Sequence, residues 1–142
     1  MAWLHGGLCV YEVMVETGFE AAHQLPQHKG KCARLHGHNY TVQVFVVGQE
    51  LNDAGMLIDF GDIKRECRAT LRAFDHRYLN ELAEFAEAYP TTEQLARILH
   101  ERLSAVLNAP GRRVTRVRVW ETPTSCVTYA PEAEPGEGRG ND

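Results

Sequence analysis

The sequence lacks the features of a membrane, secreted or nucleic-acid-binding protein. No apolar run approaches the roughly 18 residues that a membrane-spanning helix requires. The first seven residues contain neither a basic segment nor a long apolar stretch, so they do not match a secretory signal, and we expect a cytoplasmic protein. The formal net charge is −4, and this lack of positive charge argues against nucleic acid or an anionic membrane as a partner.

Paired cysteines are missing as well. The four cysteines are widely spaced with no Cys-x-x-Cys pair, so we expect no disulfide framework. We predict that Cys9, Cys67 and Cys126 are small buried side chains, because they fall in predicted strands or on the apolar face of a predicted helix. Cys32 differs, because it lies in a polar, basic segment in which a thiol is accessible.

The pattern of apolar residues predicts one α+β domain at residues 8–130, between a leader (1–7) and a disordered tail (131–142). Alternating apolar residues indicate four strands, at 8–18, 36–47, 114–121 and 126–130. The segment 19–35 is polar and contains proline and glycine, so we predict a loop there.

Two helices are predicted between the second and third strands. Helical spacing of apolar residues from Ile63 to Phe74 indicates the first, with Asp59 or Asp62 as its N-cap. The second begins where Thr91 and Gln94 fit a capping box, and ends before residues 110–111. The order ββααββ predicts a four-stranded antiparallel sheet with both helices on one face.

The second strand has apolar residues on both of its faces, since Val42 and Phe45 point in opposite directions. Two helices on one side cannot cover both. We therefore predict an oligomer that covers the other face of the sheet.

The segment His36-Gly37-His38 is the most informative motif. On a strand, side chains at i and i+2 point to one face with Cα atoms roughly 6.5–7 Å apart, so both imidazoles can reach one ion at about 2.0–2.1 Å. His23 can supply a third nitrogen. Three imidazoles without a fourth protein ligand describe an open zinc site, although iron and nickel accept the same ligands. Cupins also use His-x-His, but they place a glutamate a few residues later, where this chain has none.

Cys32 could be a fourth metal ligand, a buried hydrophobic residue or an acid–base group, and we favour acid–base work. The neighbouring basic residues could bind an anionic group of a substrate or form a solvated loop, and the residues alone leave both open. These are His28, Lys29, Lys31 and Arg34.

Two further polar groups have open roles. Asp75 and His76 could be a polar cluster at a helix end or an acid–base unit. Glu121 ends a strand, where it could face water or accept N–H donors from a ligand.

Taken together, five motifs resemble the 6-pyruvoyltetrahydropterin synthase and 6-carboxytetrahydropterin synthase family, from about residue 11 to 129. In order, they are Phe19-Glu20-Ala21-Ala22-His23, Cys32-x-x-x-His36-Gly37-His38-Asn39-Tyr40, Asp75-His76, Pro90-Thr91-Thr92-Glu93 and Glu121-Thr122.

The resemblance implies a tunnelling fold, in which the ββααββ subunit joins its neighbours in a trimeric β-barrel and two trimers stack into a homohexamer. Active sites at subunit interfaces are implied as well. By the same resemblance, Zn²⁺ is bound by His23, His36 and His38; Cys32 is the general base; Asp75 with His76 forms the other proton-transfer unit; and Glu121 anchors the pterin ring, helped by Thr91 and Thr92.

The implied substrate is 7,8-dihydroneopterin triphosphate, handled without nicotinamide or flavin, and no G-x-G-x-x-G or P-loop motif is present. The carboxy branch of the family forms 6-carboxy-5,6,7,8-tetrahydropterin, releases acetaldehyde and triphosphate, and feeds 7-deazaguanine (queuosine) synthesis. The pyruvoyl branch stops after eliminating triphosphate. Three residues separate Cys32 from His36, which resembles the carboxy branch, and we favour that branch. A pterin- or zinc-binding protein without turnover is the third hypothesis.

Overall fold

Residues 10–28 and 30–131 are described by a computed structural model. The predictions for the leader, Cys9, Lys29 and the tail beyond residue 131 lie outside these residues. Within them, two helices pack on one face of a five-stranded sheet with strand order β3-β1-β2-β4-β5. The elements are β1 (Tyr11–His23), β2 (His36–Gly48), α1 (Phe60–Leu71), β3 (Arg77–Tyr78), α2 (Thr92–Leu107), β4 (Arg112–Thr122) and β5 (Ser125–Tyr129).

The predicted antiparallel sheet is confirmed, since β1 pairs with β2, β2 with β4 and β4 with β5 in antiparallel register. A fifth strand, β3, was not predicted. It pairs parallel with β1 over two residues only, and so short a strand carries no hydrophobic periodicity in the sequence. Among the described residues the sheet does not close on itself, and β5 forms one of its edges.

The first strand continues five residues beyond its predicted end. The prediction of a loop from residue 19 is wrong because Phe19, Ala21 and His23 are buried on the helix side of the sheet and extend the alternation of β1. Gly18 is required within this strand, because a Cβ there would lie 2.6 Å from the carbonyl oxygen of Tyr40.

Both helices form near their predicted starts. Asp59 caps α1 by accepting from the Gly61 N–H at 2.7 Å, and α1 ends three residues before Phe74, which is buried in the following turn. Thr91 caps α2 by accepting from the Gln94 N–H at 3.2 Å. The reciprocal half of the capping box does not form, because the side-chain oxygen Oε1 of Gln94 accepts hydrogen bonds from the Arg97 guanidinium instead.

The face of the sheet opposite the helices is less apolar than predicted. Phe45 lies on this face but is only 7% exposed, because the guanidinium of Arg116 lies 3.9 Å from its ring centroid and that of Arg118 lies 5.5 Å away. Phe45 is therefore covered within the chain, and the oligomer predicted from the apolar residues on both faces stays a prediction.

Of the predictions that Cys67 and Cys126 are buried, one is confirmed and one is wrong. Cys67 is fully buried on α1, as predicted. The prediction that Cys126 is buried is wrong, because it lies exposed on the edge strand β5. Among the described residues, no helix is long and apolar enough to cross a membrane.

Candidate active site

The three predicted metal ligands come together because of strand register. His23, the last residue of β1, is the direct pairing partner of His36, the first residue of β2, and His38 pairs with Ala21. All three side chains therefore lie on the helix side of the sheet. One ring nitrogen from each histidine lies within 4.8 Å of the others, and the ring centroids are 4.4–5.0 Å apart.

Hydrogen bonds to the backbone orient two of these rings. Nδ1 of His23 lies 2.9 Å from the carbonyl oxygen of Pro90, and Nδ1 of His36 lies 2.6 Å from that of Arg34. A ring nitrogen beside a carbonyl must be the donor, so in the neutral rings both Nε2 atoms carry lone pairs. These Nε2 atoms lie 2.8 Å apart. Facing lone pairs repel unless a cation lies beside them, so this donor set fits a metal ion.

His38 supports the same assignment. Its Nε2 is buried and has no hydrogen-bond partner of suitable geometry within the described part of the chain; Glu121 Oε1 is 3.3 Å away. Burial lowers the pKa of His23 and of His38 below the ordinary value of 6.5. Both rings are therefore favoured in the neutral form that a metal requires.

Tyr40 packs beside this histidine cluster; it belongs to the motif that contains His36 and His38, but no role was predicted for it. It lies two residues beyond His38 on the same face of β2, with its hydroxyl 3.4 Å from Nδ1 of His23. Its ring stacks on Phe19 at a centroid distance of 4.8 Å. Burial raises the pKa of Tyr40, so the hydroxyl stays neutral. The i+2 spacing after His-x-His was the available sequence signal.

The start of α2 connects Glu121 to the cluster. Thr92, buried at the first position of α2, donates a hydrogen bond from its hydroxyl to Oε2 of Glu121. The neighbouring Thr91 uses its hydroxyl oxygen to cap the helix. The two threonines, which were predicted together as substrate-binding residues, therefore make different contacts in the folded chain.

The Asp75–His76 pair is hydrogen-bonded to β1 at Glu20, three residues before His23. Oδ1 of Asp75 accepts from the Glu20 N–H at 3.0 Å and lies 2.9 Å from Nδ1 of His76. The hydrogen bond from the Glu20 N–H lowers the pKa of Asp75, and His76 adds to this effect. His76 has φ 57°, and its own N–H donates to the Glu20 carbonyl at 2.6 Å. This left-handed backbone is uncommon for a non-glycine residue and holds an imidazole that is 72% exposed.

Cys32 lies in a short 3₁₀ turn, Lys31–Ala33, and is half-buried. Its backbone carbonyl accepts from the Leu25 N–H at 2.9 Å, which closes the loop between β1 and β2. In the part of the chain that the structure describes, the cluster of potential metal ligands consists of the three histidines and does not include Cys32. The neighbouring Lys31 and Arg34 are exposed.

Two open clefts flank the start of β2. One, of about 420 Å³, is lined by His38 together with Glu20 and His76. The other, of about 670 Å³, is lined by His38, Trp120 and Glu121, among others. Both volumes lie within the range of roughly 300–1,000 Å³ that small-molecule sites occupy. His38 therefore lies between the Asp75–His76 pair and Glu121.

The open sheet with two helices on one face and the three-histidine cluster are what is expected of a tunnelling-fold pterin synthase. Residues 12–132 match the family model described as 6-pyruvoyl tetrahydropterin synthase. The chain belongs to this family.

Curated relatives are similar over most of the chain. A 6-carboxy-5,6,7,8-tetrahydropterin synthase of Bacillus subtilis is 35% identical over 129 residues, covering 86% of each chain. A putative 6-carboxy-5,6,7,8-tetrahydropterin synthase of Archaeoglobus fulgidus is 40% identical over 107 residues, covering 75% of this chain and 84% of the relative. Among solved structures, the 6-pyruvoyl tetrahydropterin synthase of Caenorhabditis elegans superposes with a TM-score of 0.79 at 28% identity, covering 88% of this chain and 98% of that one.

Proposed function

We propose that this chain is a zinc-dependent lyase that converts 7,8-dihydroneopterin triphosphate to 6-carboxy-5,6,7,8-tetrahydropterin, with release of acetaldehyde and triphosphate. The observation that carries the proposal is the likeness to relatives named 6-carboxy-5,6,7,8-tetrahydropterin synthase along most of the chain. The three-residue spacing between Cys32 and His36 supports the same branch. The product would enter 7-deazaguanine (queuosine) synthesis in the cytoplasm.

The histidines His23, His36 and His38 would hold the zinc ion through their ring nitrogens. When bound, zinc supplies Lewis-acid chemistry that lowers the pKa of the substrate's side-chain hydroxyls. The backbone carbonyls of Pro90 and Arg34 keep two of the rings in the tautomer that leaves Nε2 free for the ion.

The remaining residues would bind substrate and move protons. Cys32 removes a proton from the substrate side chain, and His76, held by Asp75, acts as the second proton-transfer group. Glu121 accepts hydrogen bonds from the pterin ring, with its carboxylate oriented by the Thr92 hydroxyl.

Assembly would complete the site. The sheet is open at both edges, and unpaired sheet edges favour pairing with another chain. We infer a trimeric barrel, stacked in pairs as a homohexamer, with the sites at subunit interfaces. The exposure of His76 supports this arrangement, because a neighbouring subunit and the substrate could cover it.

Product identification tests the proposal. After incubation of the zinc-loaded protein with 7,8-dihydroneopterin triphosphate, mass spectrometry should detect 6-carboxytetrahydropterin and acetaldehyde. Cys32→Ala should lower kcat at least about 100-fold, as expected for loss of a general base, while one zinc ion per chain remains bound. Loss of zinc together with the thiol would show that Cys32 is a fourth ligand, and the open-site assignment would be wrong.

A 6-pyruvoyltetrahydropterin synthase is the second candidate, favoured by the likeness to the Caenorhabditis elegans structure with that name. The same experiment separates the two, because a pyruvoyl product without acetaldehyde would establish the second. A lack of any product from a zinc-loaded oligomer would favour a non-catalytic pterin- or zinc-binding protein.

A further inference from the structure

The segment Asp75–Asn80 lies along the end of β1 and the residue that follows it, Gln24, and contacts them at three successive positions. Asp75 and His76 bind the backbone of Glu20, and β3 pairs with β1 next. The third contact follows the end of β3, where the side chain of Asn80 binds the backbone of Gln24.

After the end of β3, the side-chain amide of Asn80 makes hydrogen bonds like those between paired strands. Its Oδ1 accepts from the Gln24 N–H at 2.8 Å, and its Nδ2 donates to the Gln24 carbonyl at 2.7 Å. The side chain thereby presents one acceptor and one donor to a single residue, as the peptide group of a neighbouring strand would. The hydroxyl of Tyr78 also donates to Oε1 of Gln24, at 3.4 Å.

Gln24 directly follows His23, so the backbone that Asn80 holds is the backbone that carries a metal ligand. The ring of His23 is fixed on its other side by the Pro90 carbonyl. At its opposite end, the segment ending at Asn80 carries the Asp75–His76 pair. The contacts of this segment therefore set the distance between His23 and the Asp75–His76 pair. Small changes in the distance between reacting groups matter, because a displacement of about 1 Å can reduce a rate roughly 100-fold.

We propose that Asn80 is a positioning residue that fixes the separation between the metal ligand His23 and the acid–base pair Asp75–His76. The inference rests on the proposed function of these groups. Asn80 is not one of the clustered histidines and does not line either cleft, so its effect would pass through Gln24.

Two substitutions test this role. Asn80→Ala removes both hydrogen bonds to Gln24. Asn80→Asp keeps the acceptor for the Gln24 N–H but places a carboxylate oxygen against the Gln24 carbonyl. Glu84→Gln is the matched control, because it weakens the ion pair with Arg102 that holds the outer part of the same loop.

Steady-state kinetics with 7,8-dihydroneopterin triphosphate should separate positioning from folding. We expect Asn80→Ala to lower kcat about 10-fold or more with KM changed less than about twofold, and Asn80→Asp to lie between Ala and wild type. Glu84→Gln should keep kcat within about twofold. The inference is overturned if Asn80→Ala keeps its kcat, or if Glu84→Gln loses as much.

Two measurements need no turnover. Hydrogen exchange should show that the Gln24 amide exchanges at least about 10-fold faster in Asn80→Ala than in wild type and stays slower in Asn80→Asp. Zinc titration should show an affinity about 10-fold weaker in Asn80→Ala, as for loss of a residue that supports a metal ligand. If wild type forms no pterin product, the proposed function fails, and these two results decide the role of Asn80: unchanged exchange and affinity overturn it.

Discussion

Thr91 and Thr92 make different contacts, so replacing the hydroxyl of each with a methyl group should have different effects. The effect of Thr92→Val should fall on the binding of substrate. In Thr92→Val, Glu121 loses the hydroxyl that donates to Oε2. A hydrogen bond to a charged group contributes about 1.5–3 kcal/mol. Glu121 is 29% exposed, so we take the lower value, about 1.5 kcal/mol, which corresponds to a roughly tenfold weaker interaction. We expect KM for the pterin substrate to rise about tenfold in this variant.

Thr91→Val is the matched comparison at the neighbouring position. It removes the oxygen that caps α2, and loss of such a cap costs about 1 kcal/mol of stability. For a chain of this size, Tm should fall by roughly 3 °C, with a smaller change in KM than in Thr92→Val. Kinetics and thermal denaturation of both variants provide the two readouts. An equal rise of KM in both, or a KM of Thr92→Val within twofold of wild type, would refute this division of roles.

Three further predictions concern folding and the cysteines. Gly18→Ala should destabilise the fold by roughly 1–3 kcal/mol in urea denaturation, because its Cβ would meet the Tyr40 carbonyl; an unchanged midpoint would show that β1 can shift. Iodoacetamide at pH 8 should label Cys126 in the native protein, and label Cys67 only after unfolding, as mass spectrometry can establish. Burial raises the pKa of Cys67 from 9.0 to about 11, so the folded state holds its proton more tightly than the unfolded state. Stability should therefore be full below pH 9 and fall as the pH rises through 11, and Cys67→Ala should reduce this alkaline loss; an identical pH profile for both would contradict it.

The helices illustrate what local sequence determines about this fold. A side-chain oxygen before an apolar stripe marks a helix start regardless of distant residues, and Asp59 and Thr91 do cap the two helices. The end of α1 was less predictable. Phe74 continues the apolar spacing but is buried from a turn, because a side chain can reach the core from more than one backbone conformation.

The open face of the sheet illustrates the opposite case. Alternation correctly places Phe45 on that face, but it does not reveal what covers the ring. The cover comes from Arg116 and Arg118, about 70 residues later in the chain, and cation–π contact depends on the register between β2 and β4.

For the site, the order of residues already indicates which chemistry is available: His36 and His38 share a face because strand side chains alternate with period two, whatever the rest of the chain does. How those groups are held depends on the fold. The carbonyl that orients His23, the hydroxyl that orients Glu121 and the amide of Asn80 are all more than 20 residues away from their partners. Hydrogen bonds require a separation of about 3 Å in space, and separation along the chain does not predict it.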